Sequence, residues 1–146
     1  MKYDDASWHS ESDNFPNDLL SAAAFTHTGL YLAWAVLADL ASEELQDDFE
    51  EGLAKLRSRS TSPCQLYRAM DGKLTDDDLS DEGNAFTKFY FDFEAGQYLK
   101  DYEEVLCEGL PTTYHVADSW ENYERLKRIL DNRLAAWRVD GIECRR

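Results

Sequence analysis

The spacing of apolar and polar residues changes character several times along this chain. No charge falls between Leu19 and Ala38, and from Leu30 to Ala38 every position is apolar. A helix without a polar face is one surrounded by others, so this stretch predicts a central helix from about Leu19 to Ala41, entered through Pro16 with Asn17 or Asp18 as its cap. Ser21, Thr26, His27, Thr28 and Gly29 interrupt it. Its continuous apolar part is far shorter than the ~20 residues a membrane span requires.

Ser42 then offers a side-chain oxygen to the free amides of a second helix. Glu43 and Glu44 follow in the first turn, where the macrodipole favours negative charge. Leu45, Phe49, Leu53 and Leu56 form its apolar stripe, and Lys55, Arg57 and Arg59 complement its carbonyl end. After the turn Ser60 to Pro63, a short helix is expected through Met70, stopped by Asp71-Gly72. Thr75 with Asp78 has the form of a capping box. Between Phe86 and Phe93, helical and strand periods both fit, and helix is the reading adopted. Tyr98, Leu99, Tyr102, Val105 and Leu106 continue at helical spacing up to Gly109-Leu110-Pro111, after which Thr112 to Val116 reads as extended. Asp118 with Glu121 is a further cap signature. It is followed by the stripe Trp120, Tyr123, Leu126, Leu130, Leu134 and Trp137, with a helix end near Val139 before Gly141. The first 18 residues, rich in Asp, Ser and Asn, read as an irregular arm anchored by Tyr3, Trp8 and Phe15.

The expected fold is therefore mainly α. It is a single domain over residues 1–146: a bundle of five or six helices around the central one at about 19–41, with the irregular arm at 1–18 and a short extended segment near 112–117. At 146 residues one core suffices, burying about 68–70% of the surface that the unfolded chain exposes.

Charge changes the functional picture more than the structural one. The chain has 30 Asp and Glu against 15 Lys and Arg. Residues 1–117 hold 24 acids and 8 bases, a net of −16, whereas 118–146 hold 6 and 7, a net of +1. Such a field keeps a protein soluble and speeds its encounter with basic partners. With 4 Trp, 8 Tyr and 7 Phe, the chain is too aromatic for a disordered acidic segment. No apolar run follows Met1-Lys2, and three widely spaced cysteines make neither a disulfide framework nor a zinc knuckle. A cytoplasmic location with reduced thiols is expected.

Standard templates for chemistry fail at named residues. Asp71-Gly72-Lys73-Leu74 lacks both the earlier glycine and the Ser/Thr of a phosphate loop. A calcium loop starting at Asp76 would have Asp81 where glycine is needed and Thr87 where glutamate is needed. There is no Gly-x-Ser-x-Gly elbow, and no two histidines have i, i+4 spacing. His9, His27 and His115 would make an acid/base site only by converging with Asp4 or Asp5 over long range. No cofactor and no metal are called for by any motif, and the charges of the last helix alternate in sign as on a solvated face, which argues against direct nucleic-acid binding.

Several stretches carry a resemblance. They are Lys2-Tyr3-Asp4-Asp5-Ala6 with Trp8-His9, Thr26-His27-Thr28-Gly29 running into Leu32-Ala33-Trp34-Ala35, and Leu79 with Asp81-Glu82-Gly83-Asn84-Ala85-Phe86. Tyr114-His115-Val116 follows, with Asp118, Trp120, Asn122-Tyr123, Asp131, Arg133 and Trp137. Together they resemble a family of small uncharacterised bacterial proteins, a domain of unknown function that is similar to the immunity proteins encoded beside polymorphic toxins of interbacterial competition. The resemblance implies an antidote that binds a cognate toxin domain, and it brings no catalytic residues with it. Toxins that attack nucleic acids are often basic because they bind phosphates, so an acidic antidote can occupy the same surface. The partner expected is a basic toxin domain, with no membrane involved. The acids expected to meet it are Asp47, Asp48, Glu50, Glu51, Asp76, Asp77 and Asp78. The alternatives are a small enzyme using the histidines with nearby carboxylates, and an acidic mimic of DNA.

Overall fold

The computed structural model describes residues 1–12, 15–92 and 96–144, with the backbone alone at 21, 22 and 141–144. The helical reading holds, with eight α-helices among the described residues and one two-stranded sheet. The N-terminal segment corrects the expectation of an irregular arm. Lys2–Asp5 forms strand β1, and Ala6–Ser10 forms helix α1, capped by the Asp5 carboxylate, which accepts from the Ser7 amide at 3.0 Å. β1 pairs antiparallel with Lys73–Thr75, strand β2, with Asp4 opposite Leu74 and Asp5 opposite Lys73. Gly72 makes the junction possible. Its φ is +69°, and a Cβ there would lie 2.7 Å from both Ala6 and Phe25.

The central helix is shorter than its apolar run. Ser21–Phe25 is a 3₁₀ turn, and Thr26–Leu37 is helix α2, which stops short of Asp39 in left-handed conformation (φ 63°). Leu20 is 83% exposed, so the uncharged stretch starts before the core does. From Thr26 to Val36 every residue is buried, as expected of a helix with no polar face.

Ser42 caps the next helix as its sequence implies, accepting from the Leu45 amide at 3.1 Å. The single second helix is in fact two, Glu43–Asp48 (α3) and Glu50–Ser58 (α4), broken at Phe49 (φ −126°, ψ 36°). Leu45 before the break and the pair Leu53 and Leu56 after it are all buried in the core. Arg59 ends α4 in left-handed conformation, its guanidinium over the Trp120 ring at 4.4 Å and paired with Glu124. Gln65–Ala69 is helix α5. It lies against α2 at Gly29, where a Cβ would be 2.6 Å from Cys64 Sγ and 3.2 Å from the Cys64 backbone. The Thr75–Asp78 capping box forms around the 3₁₀ turn Asp76–Asp78.

Asp81–Tyr90 is helix α6, so Phe86 to Tyr90 is helical. Phe91 is already its cap, and Phe93 lies outside the described residues. Helix α7 is Tyr98–Leu106. Thr113–His115 is a 3₁₀ turn between extended Thr112 and Val116, not an extended run. Helix α8, Trp120–Cys144, continues past Val139 and Gly141. Asp118 is not its cap. The Asp118 carboxylate accepts from the Cys64 amide at 3.0 Å and faces Arg68 at 3.5 Å, while the Ser119 hydroxyl accepts from the Asn122 amide at 3.2 Å.

α7 and α8 close over α2. Tyr31, Phe86, Tyr90, Phe91 and Tyr98 pack ring to ring at 4.6 to 6.4 Å, each hydroxyl in this group finding an acceptor or a partner hydroxyl. Trp34 donates from Nε1 to Asp131 at 2.9 Å. Within this layer Asp101, 2% exposed, accepts from Arg133 through both oxygens at 2.9 Å and from Tyr90 at 2.6 Å.

Candidate functional site

Two constellations stand out, and the first joins residues that are far apart in sequence. β1 presents Asp4, α1 presents His9, and the buried first turn of α2 presents His27 and Thr28. Strand pairing with β2 fixes Asp4, and the sharp strand-to-helix junction at Asp5 and Ala6 folds His9 back over it. Asp4 Oδ1 lies 2.7 Å from His9 Nε2, Asp4 Oδ2 lies 3.5 Å from His27 Nε2, and the two Nε2 atoms are 3.2 Å apart. The rings meet edge to face, centroids 4.5 Å apart. Thr28 donates its hydroxyl to Asp4 Oδ2, and the Tyr114 hydroxyl lies 2.9 Å from His9 Nδ1.

Asp4 is fully buried, His27 nearly so, and the His9 side chain is 17% exposed at the rim. Burial penalises the Asp4 carboxylate, yet the His27 and His9 imidazoles outweigh that and hold it ionised well below its ordinary range. Burial also pushes the His27 imidazole down, so its neutral form is favoured. Three donor atoms, one carboxylate oxygen and two neutral-capable nitrogens, thus face one another within 4.8 Å.

Of the candidates read from sequence, Asp4, His9 and His27 come together. The other two do not. His115 pairs instead with Asp18 at 2.9 Å and Thr112 at 2.8 Å, and Asp5 is occupied by Lys2 and the cap of α1. Tyr114 and Thr28 complete the cluster, and no local spacing marked them for it.

The second constellation is the acidic face. Asp47, Asp48, Glu50 and Glu51 lie exposed on the α3–α4 corner. A cleft of about 510 Å³ opens there, lined by Phe49, Leu66 and Ala69 and by Asp48, Glu50, Glu51 and Lys55, the last lying 3.3 Å from Glu51. A second cavity of about 320 Å³, lined by Asp47, Glu50 and Arg57 among others, adjoins it through Glu50. The other acidic run sits beside α3, because Ser42 donates from its amide to the Asp78 carbonyl at 3.0 Å and from its hydroxyl to the Asp77 carbonyl at 2.6 Å. Within that run only Asp77 is exposed. Asp76 binds the N-terminal ammonium at 3.1 Å, and Asp78 is half-buried and accepts from the Thr75 amide at 2.8 Å. Burial pushes the Asp78 carboxyl up from its ordinary value.

No described helix is long and apolar enough to cross a membrane. No curated protein and no solved structure matches the chain. One family model does, over residues 2–116, a span that takes in the Asp4–His9–His27 cluster, Tyr114 and the whole acidic face. The chain accordingly belongs to the family described as a domain of unknown function, DUF7832.

Proposed function

We propose that this protein is an immunity protein, a neutralising partner that docks its α3–α4 face onto a basic bacterial toxin domain. The observation that carries this reading is the cleft with apolar walls at Phe49, Leu66 and Ala69 and carboxylates from Asp48, Glu50 and Glu51. That combination suits an arginine or lysine side chain, whose aliphatic stem packs on apolar walls while its charged end meets carboxylates. Asp47 and Asp77 widen the negative field around the opening. Asp76 and Asp78 serve mainly the fold, through the N-terminal ammonium and the Thr75 cap.

The test is association with the toxin domain encoded beside this protein, measured by stopped flow and by rescue of growth on co-expression. Reversing Asp47, Asp48, Glu50 and Glu51 to lysine is expected to slow association by about 10-fold or more at low salt, with the difference shrinking as salt rises. An unchanged association rate at low salt, or absence of binding by the parent chain, rejects the reading. Catalysis by the Asp4–His9–His27 cluster is the second reading, supported by the convergence of those three side chains. It predicts that His9→Gln abolishes protection while leaving binding intact.

A further inference from the structure

We propose that Asp4, His9 and His27 form a binding site for a divalent first-row transition-metal ion. The inference is independent of the acidic face and rests on counting hydrogens. His9 Nε2 lies 2.7 Å from Asp4 Oδ1, His27 Nε2 lies 3.5 Å from Asp4 Oδ2, and the two nitrogens lie 3.2 Å apart. An imidazole nitrogen carries at most one hydrogen, and an ionised carboxylate carries none. Two hydrogens at most are therefore available for three contacts. If both point at Asp4, nothing lies between the nitrogens. If one lies between the nitrogens, a lone pair of imidazole faces a lone pair of carboxylate. One cation among the three side chains replaces both hydrogens and receives a lone pair from each.

The dimensions and donor types agree with this. Metal–nitrogen and metal–oxygen bonds of about 2.0–2.1 Å in tetrahedral geometry imply donor separations of about 3.3 Å, close to the 3.2 Å between the two nitrogens and inside the 4.8 Å within which all three donors lie. Two imidazoles and one carboxylate suit zinc, cobalt, iron or manganese better than magnesium or calcium, which prefer oxygen throughout. The surroundings supply His9 with the outer partner that a metal-bound histidine needs. With Nε2 on the ion, the His9 proton sits on Nδ1 and is donated to the Tyr114 hydroxyl at 2.9 Å, while Thr28 holds Asp4 Oδ2. Three protein donors leave one tetrahedral position for water or a substrate, the pattern of reactive metal sites, and the partly exposed His9 puts the cluster at the rim.

The test is zinc calorimetry on the chelator-treated full chain, with magnesium in excess to occupy surface carboxylates. One zinc per chain is expected. His9→Gln should weaken zinc by more than 100-fold, beyond the ~10–100-fold that loss of an outer partner costs, and Tyr114→Phe by about 10-fold. The acidic-face quadruple variant should bind zinc like the parent, so this proposal and the docking proposal fail separately. Substoichiometric uptake by the parent, or equal uptake by folded His9→Gln, overturns the site, the latter outcome assigning the ion to exposed carboxylates. If His9→Gln does not fold, cobalt loaded into the parent and into Tyr114→Phe decides, since a spectrum without nitrogen ligation also overturns it.

Discussion

Replacing Arg133 with methionine should be among the most damaging surface-accessible changes in this chain. Arg133 is half exposed, but the carboxylate it serves is 2% exposed. The methionine keeps an apolar stem and removes both 2.9 Å bonds to Asp101, leaving that charge with Tyr90 at 2.6 Å and Gln97 at 3.3 Å. Stranding a buried charge in this way costs about 3–5 kcal/mol, against a total stability of about 5–15 kcal/mol for a domain. The pH dependence gives a sharper signature. In the parent, burial raises the Asp101 carboxyl, but Arg133, Tyr90 and Gln97 together bring it below its ordinary value. Its contribution is therefore fully present above the unfolded pKa of about 3.9, and is lost as pH falls through the lower folded value. Without Arg133, burial is opposed by two neutral donors only, and the folded carboxyl moves above the unfolded value. The sign then inverts, and protonation favours the folded form by about 1.4 kcal/mol for every pH unit separating the folded value from the unfolded one. Urea unfolding followed by tryptophan fluorescence should show a deficit that shrinks from about pH 7.5 to about pH 5.5, a window that avoids the isoelectric region near 4.4. Adding Asp101→Asn to Arg133→Met should recover part of the loss. A deficit below about 1 kcal/mol, or one of equal size at both pH values, would refute the reasoning.

Two other changes test the packing. Gly29→Ala places a methyl 2.6 Å from Cys64 Sγ and should cost about 1–3 kcal/mol by overpacking the α2–α5 contact, read as a lower urea midpoint at unchanged slope. Cys64 is fully buried, and burial and the neighbouring Asp118 push its thiol well up. In a Cys144→Ser background, half-buried Cys107 should react first with a disulfide reagent, and Cys64 only at the rate of chain opening.

What the sequence disclosed and what it withheld divide along physical lines. The Ser42 cap, the Thr75–Asp78 box and the all-round burial of α2 rest on interactions within a turn or two, and each is written in adjacent residues. β1 is four residues long with two acids, and its partner is some seventy positions away, so neither its length nor its alternation announces a strand. The break at Phe49 interrupts a stripe of helical spacing, so nothing in the positions of Leu45, Leu53 and Leu56 announces it. Asp118 has the spacing of a cap but is drawn off by the Cys64 amide, leaving the role to Ser119. His9, His27 and His115 look alike as isolated residues, and it takes the β1–β2 pairing and the packing of α1 on the Ser21–Phe25 turn to bring two of them together.

That pairing also sets an order of events. The strand that carries Asp4 pairs with residues 73–75, some seventy positions further along the chain. Closing so long a loop is entropically costly and comes late relative to helix formation. Residues 2–5 therefore stay without their strand partner until residues 73–75 have been made. Conditions that weaken this late closure would disassemble the histidine cluster while most helices persist, so the cluster should report on the final, most easily reversed stage of maturation.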